Sequence, residues 1–118
     1  MAILVAVSDN EEGRHALRVA ADEASAVHTD LIVVNLTLAG LDVSGLNENV
    51  SVRVIDRAGR ADRDPATAVL DEIDAHPEVT RLVIGIKKRS RVGKALLGSI
   101  TQRLLMMSPV PVLSVQPN

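Results

Sequence analysis

Phenylalanine, tyrosine and tryptophan are absent from these 118 residues, and so is cysteine. Without rings there is no platform on which bases can stack, so single-stranded nucleic-acid binding is not expected. The core has to be Val, Leu, Ile, Ala and Met, and any planar ligand would lie between aliphatic side chains. Without cysteine there is no disulfide, no thiol nucleophile and no thiolate metal site. No apolar run approaches the roughly 18 residues of a membrane span. No basic segment precedes the opening apolar run, so no signal peptide is expected and the cytoplasm is the expected location. His15, His28 and His76 show no ligand spacing, and no metal site is expected. Ser8, Ser90 and Ser99 belong to no nucleophile motif with a His and an acid. The chain therefore reads as non-catalytic.

Acidic residues are missing from one stretch altogether. All 15 lie in positions 1–80, where six arginines leave a net charge of −9. Residues 81–118 hold seven basic residues and no acid, for +7. The overall charge of −2 hides this polarity.

What is present reads as one α/β domain spanning 1–118, with an ordinary 47% hydrophobic and 24% charged content. Ala2 to Val7 is a continuous apolar run, as expected of a strand buried on both faces of a parallel sheet. Asp9 and Glu12 have the spacing of a capping box. Leu17, Ala20, Ala21, Ala24 and Val27 then follow helical periodicity. Leu31 to Leu36 is a second buried strand. Val50, Val52 and Val54 alternate with Ser51 and Arg53, as in a strand nearer an edge. Asp64-Pro65 reads as N-cap and first helical position, with Ala66, Val69, Leu70 and Ile73 forming the stripe behind it. Leu82 to Gly85 is strand four. Ser99 and Gln102 suggest another capping box, ahead of a helix with Ile100, Leu104 and Met107 on one face. Val110 to Val115 is the last strand, its prolines suiting an edge. Strands alternating with helices predict a parallel, doubly wound sheet. Between strands two and three, Leu38 to Asn49 shows no helical stripe, so no full helix is expected there.

Chemistry concentrates after strand four. Lys87, Lys88, Arg89, Arg91 and Lys94 crowd a loop that ends at Gly98-Ser99, where a helix opens. Loop N–H groups and the positive end of a helix dipole suit a phosphate. Two plainer readings stand beside this one: Ser99 as a helix cap, and the lysines as solvated surface. No GK[ST] closes the loop as a Walker motif would, and no G-x-G-x-x-G is present.

The run GIKKRSRVGKALLGS from Gly85 to Ser99 has the length of the G-x2-G-x9-G-[ST] signature of the universal stress protein family. The opening ILVAV, the Asp64-Pro65-Ala66 triplet and the closing PVPVLSV also match, so the chain resembles that family over nearly its whole length. Three departures stand out. Lys88 occupies the second signature glycine, Ser8 with Asp9 beside it replaces the usual acid after strand one, and the helix between strands two and three is shortened or absent. The resemblance implies a Rossmann-like, adenine nucleotide alpha hydrolase-like fold, a five-stranded parallel sheet of order 3-2-1-4-5. It implies ATP or AMP as ligand, with adenine against Ala6, Val7, Leu36 and Ile84 and ribose near Ser8 or Asp9. Phosphates would meet Gly85, Lys87, Lys88, Gly98, Ser99, Ile100 and Thr101. It also implies a homodimer through Val110 to Val115, a strongly apolar edge that needs cover. The alternative is a nucleotide-free dimeric module that docks an acidic partner through the same basic surface.

Overall fold

A computed structural model describes residues 1–56, 64–87 and 98–117. In chain order they form β1 (Ala2–Val7), α1 (Glu11–Ala26), β2 (Asp30–Asn35), β3 (Val52–Asp56), α2 (Pro65–Ala75), β4 (Val79–Gly85), α3 (Ser99–Met107) and β5 (Val112–Val115). The strands make one sheet of order β3-β2-β1-β4-β5 with every pairing parallel. This is the expected architecture, and β1, in its middle, is buried along all six residues.

Side-chain alternation along β1 splits the core into two layers. Ala2, Leu4 and Ala6 face α2 and α3, where they meet Ala66, Val69, Ile73 and Leu104. Ile3, Val5 and Val7 face α1, meeting Ala16, Leu17, Ala20, Ala21 and Ala24. Alanine at four of these α1 positions lets the helix lie close to the sheet. Val27, expected on this stripe, is instead the C-cap of α1 and 46% exposed.

No helix joins β2 to β3, as expected, and β3 is an edge strand. The connection covers the α1 face of the sheet with Leu41, Leu46 and Val50 instead. It is tied down by Asn35, which is 1% exposed. The Asn35 amide donates to the Ala39 carbonyl (2.7 Å) and to Asp56 Oδ1 (2.9 Å). Its oxygen accepts from the Thr37 N–H (3.0 Å) and hydroxyl (2.6 Å). All four hydrogen-bonding positions of this buried amide are filled, as burial demands.

Two helix starts differ from expectation. Asn10, not Asp9, caps α1, accepting from the Gly13 N–H at 2.8 Å. Gly98, not Ser99, is the N-cap of α3, which therefore has no side-chain cap. Only Leu104 of α3 is buried, and Met107 is 61% exposed rather than part of an inward face. Asp64 and Pro65 take their expected places, with the Asp64 carboxylate accepting from the Thr67 N–H at 3.0 Å.

Candidate functional site

A cleft of about 520 Å³ opens at the carboxyl ends of β1 and β4, within the range usual for small-molecule sites. It lies where the order of a doubly wound sheet reverses, the general ligand position in such folds. One wall is aliphatic: Ala6, Leu36, Pro65, Ile84, Ile86 and Leu104. Ala6 and Ile84 are neighbours in the β1–β4 register. The other boundaries are polar, with Ser8, Asn10 and Glu12 at the start of α1 and Lys87 beyond β4. Gly98, Ser99, Ile100 and Thr101 close the site with the head of α3.

The helix ends bordering this cleft are not equivalent. The N-terminus of α1 is capped by Asn10, whose Oδ1 also accepts from the Ser8 hydroxyl at 3.0 Å. That of α2 is capped by Asp64 through the Thr67 N–H and hydroxyl. These two bonds hold the Asp64 carboxyl below its ordinary value, and the Arg103 guanidinium adds to the effect. Arg103 reaches from α3 to Asp64 and to the Thr67 hydroxyl, clasping α2 to α3 beside the cleft. At α3, Gly98 has no side chain to offer the first-turn N–H groups. Among the described residues, its exposed head and the exposed Lys87 bring positive potential to this side.

Of the residues marked from sequence, Ala6, Ser8, Leu36, Ile84, Gly85, Lys87, Gly98, Ser99, Ile100 and Thr101 line this one cleft. Two do not. Val7 is wholly buried in the α1-facing layer, because the residue after Ala6 in a strand must point the other way. Its carbonyl accepts from the Leu36 N–H at 2.9 Å. Asp9 is exposed and faces Arg14 at 3.8 Å. Lys88, with Arg89, Arg91 and Lys94, lies outside the described residues.

Asn10, Glu12, Pro65, Ile86 and Leu104 join the cleft without having been marked. Asn10 had a readable signal, since Asn caps a helix as well as Asp does. Leu104 follows Ile100 by one helical turn and so shares its side. Among the described residues no group of His, Asp or Glu could hold a metal ion. No helix among them is long and apolar enough to cross a membrane.

The sequence model of the universal stress protein family matches residues 48–116. A universal stress protein from Mycolicibacterium smegmatis (strain ATCC 700084 / mc(2)155) is 37% identical over 127 aligned positions, covering 98% of each chain. Among solved structures, the universal stress protein from Archaeoglobus fulgidus in complex with dAMP superposes with a TM-score of 0.69 at 20% identity, over 97% of this chain and 96% of that one. A universal stress protein in complex with cAMP gives a TM-score of 0.69 at 18% identity, over 98% and 96%.

Proposed function

Since the chain belongs to the universal stress protein family, we propose that it binds an adenine nucleotide, ATP or AMP, in the cleft and does not turn it over. The base lies in the aliphatic slot of Ala6, Leu36 and Ile84, the sugar beside Ser8, and the phosphate at the head of α3 near Lys87. The observation that carries this reading is the uncapped α3 start, headed by a glycine and opening onto an apolar slot. Relatives of the same fold solved with dAMP and with cAMP support the choice of adenine. Lys88, in place of the signature glycine, adds a positive charge to the sequence that follows β4.

What the described part of the cleft offers is consistent with the non-catalytic reading. Among the described residues its titratable lining side chains are Glu12 and Lys87, and no nucleophile there is paired with a general base. The protein accordingly acts as a nucleotide-responsive regulator in the cytoplasm, as a homodimer paired along β5. Native mass spectrometry of the purified protein tests the ligand: a mass increment matching an adenine nucleotide supports the reading. Phosphate release from ATP on the order of 1 per second or faster would overturn the non-catalytic part.

A further inference from the structure

Little apolar surface holds α3 in place. Of its nine residues only Leu104 is buried, while Leu105, Met106 and Met107 are exposed. Yet the head of this helix closes the cleft with Ser99, Ile100 and Thr101. Whatever fixes α3 against α2 therefore fixes one boundary of the cleft. Leu104 supplies an apolar anchor in the layer of Ala66 and Val69. Arg103, its neighbour in the chain, supplies a polar one.

That polar anchor is a closed ring of three side chains. Asp64 Oδ2 accepts from the Thr67 hydroxyl at 2.9 Å and from the Arg103 guanidinium. The second terminal nitrogen of Arg103 donates to the Thr67 hydroxyl oxygen at 3.3 Å. The same carboxylate oxygen takes the Thr67 N–H at 3.0 Å, which ties Asp64 to α2 independently of Arg103. Neither end of the ion pair lines the cleft, but each stands one residue from its wall. Asp64 precedes Pro65 and Arg103 precedes Leu104, and both of those residues line it.

We infer that Asp64 and Arg103 form a latch that seats the head of α3 and so sets the spacing of the cleft walls carried by α2 and α3. Both are positioning residues. Their side chains are 47% and 48% exposed, and ion pairs so exposed add little to global stability. The latch therefore does not hold the fold together. Local opening of a thinly packed helix needs far less free energy than unfolding, and there a weak tie decides how often α3 is seated. A cleft whose wall is seated for only part of the time binds in proportion to that fraction.

Amide hydrogen exchange along α3, followed without ligand, tests the latch in wild type, Arg103→Gln, Asp64→Asn and the double variant, with a melting curve for each. Asn caps a helix as well as Asp does, so Asp64→Asn keeps the start of α2 and removes the charge. Each single substitution should speed exchange in α3 by about threefold, the worth of an exposed ion pair, with exchange in β1 and the melting temperature unchanged. The double variant should exchange no faster than either single one, because both break the same tie. Unchanged exchange in Arg103→Gln, or effects that multiply in the double variant, would overturn the latch. The effect on ligand rests on the nucleotide reading of the cleft. Adenosine, being uncharged, reads the position of the walls rather than their charge, and its affinity should fall by the same factor in each single variant. Loss of AMP affinity with adenosine affinity unchanged would overturn the positioning role, since the loss would then belong to charge alone. Wild type that binds neither AMP nor adenosine would overturn the nucleotide reading, while the exchange measurement still decides the latch.

Discussion

Gly85, the last residue of β4, lies directly against the Glu12 carbonyl in the first turn of α1. A Cβ built on Gly85 would sit 2.0 Å from that oxygen, and one on Gly13 would sit 2.2 Å from the Ser8 carbonyl. Backbone, not a pliable side chain, occupies the space. The first glycine of the signature is therefore required by packing between α1 and the sheet, whatever the cleft holds. Gly85→Ala must push α1 away from β4, and overpacking of this kind costs about 1–3 kcal/mol. Chemical denaturation of the variant against wild type measures the loss, and a variant of equal stability would contradict this close approach.

At the other end of α1 the chain accepts strain. His28 has φ of 55°, a left-handed conformation that glycine adopts without penalty. The Thr29 N–H donates to the Ala24 carbonyl at 2.9 Å and the His28 N–H to that of Ser25 at 3.3 Å, the two bonds of a Schellman ending. His28→Gly keeps both bonds and relieves the backbone, so stability should rise by about 1 kcal/mol. A lower melting temperature would show that the imidazole makes a contact worth more than the strain.

The strands were legible because parallel strands buried on both faces read as unbroken apolar runs, as in Ala2–Val7 and Leu82–Gly85. The missing β2–β3 helix was legible too, since Leu38–Asn49 has no apolar stripe. Helix starts were harder to read. Asp9 with Glu12, and Ser99 with Gln102, match the capping spacing, yet Asn10 and Gly98 hold the N-cap positions. Adjacent residues compete for a cap, and which one wins depends on how the chain leaves the preceding segment. The same one-residue ambiguity governs the cleft. Ala6 and Val7 are equally apolar, and only the strand's facing decides that Ala6 lines it. Asn10 was missed because the Asp9–Glu12 spacing pointed to its neighbour as the cap, although Asn caps a helix as well as Asp does.

Association is the next expectation. The segment from Leu104 to the C-terminus carries no charge, and β5 within it is an edge strand pairing only with β4 among the described residues. Val110 and Val112 pack against one core layer and Val115 against the other, whereas Leu113 packs in neither and is 36% exposed. A copy of the chain paired along this edge would satisfy its free backbone groups. Sedimentation should return about twice the 12.6 kDa chain mass. Leu113→Lys should shift it to the monomer with an unchanged circular dichroism spectrum. A wild-type chain that stays monomeric at high micromolar concentration would refute the homodimer.

Nucleotide binding is the central claim, and titration calorimetry at low ionic strength tests it most directly. AMP and ATP should both release or absorb measurable heat. ATP should lose affinity as salt is raised, because exposed charges are screened beyond about 8–10 Å near physiological ionic strength. Lys88→Ala should weaken ATP more than adenosine. Absence of any heat for ATP, ADP, AMP and cyclic AMP at low salt would contradict the account, and would favour instead a nucleotide-free module whose basic surface docks an acidic partner.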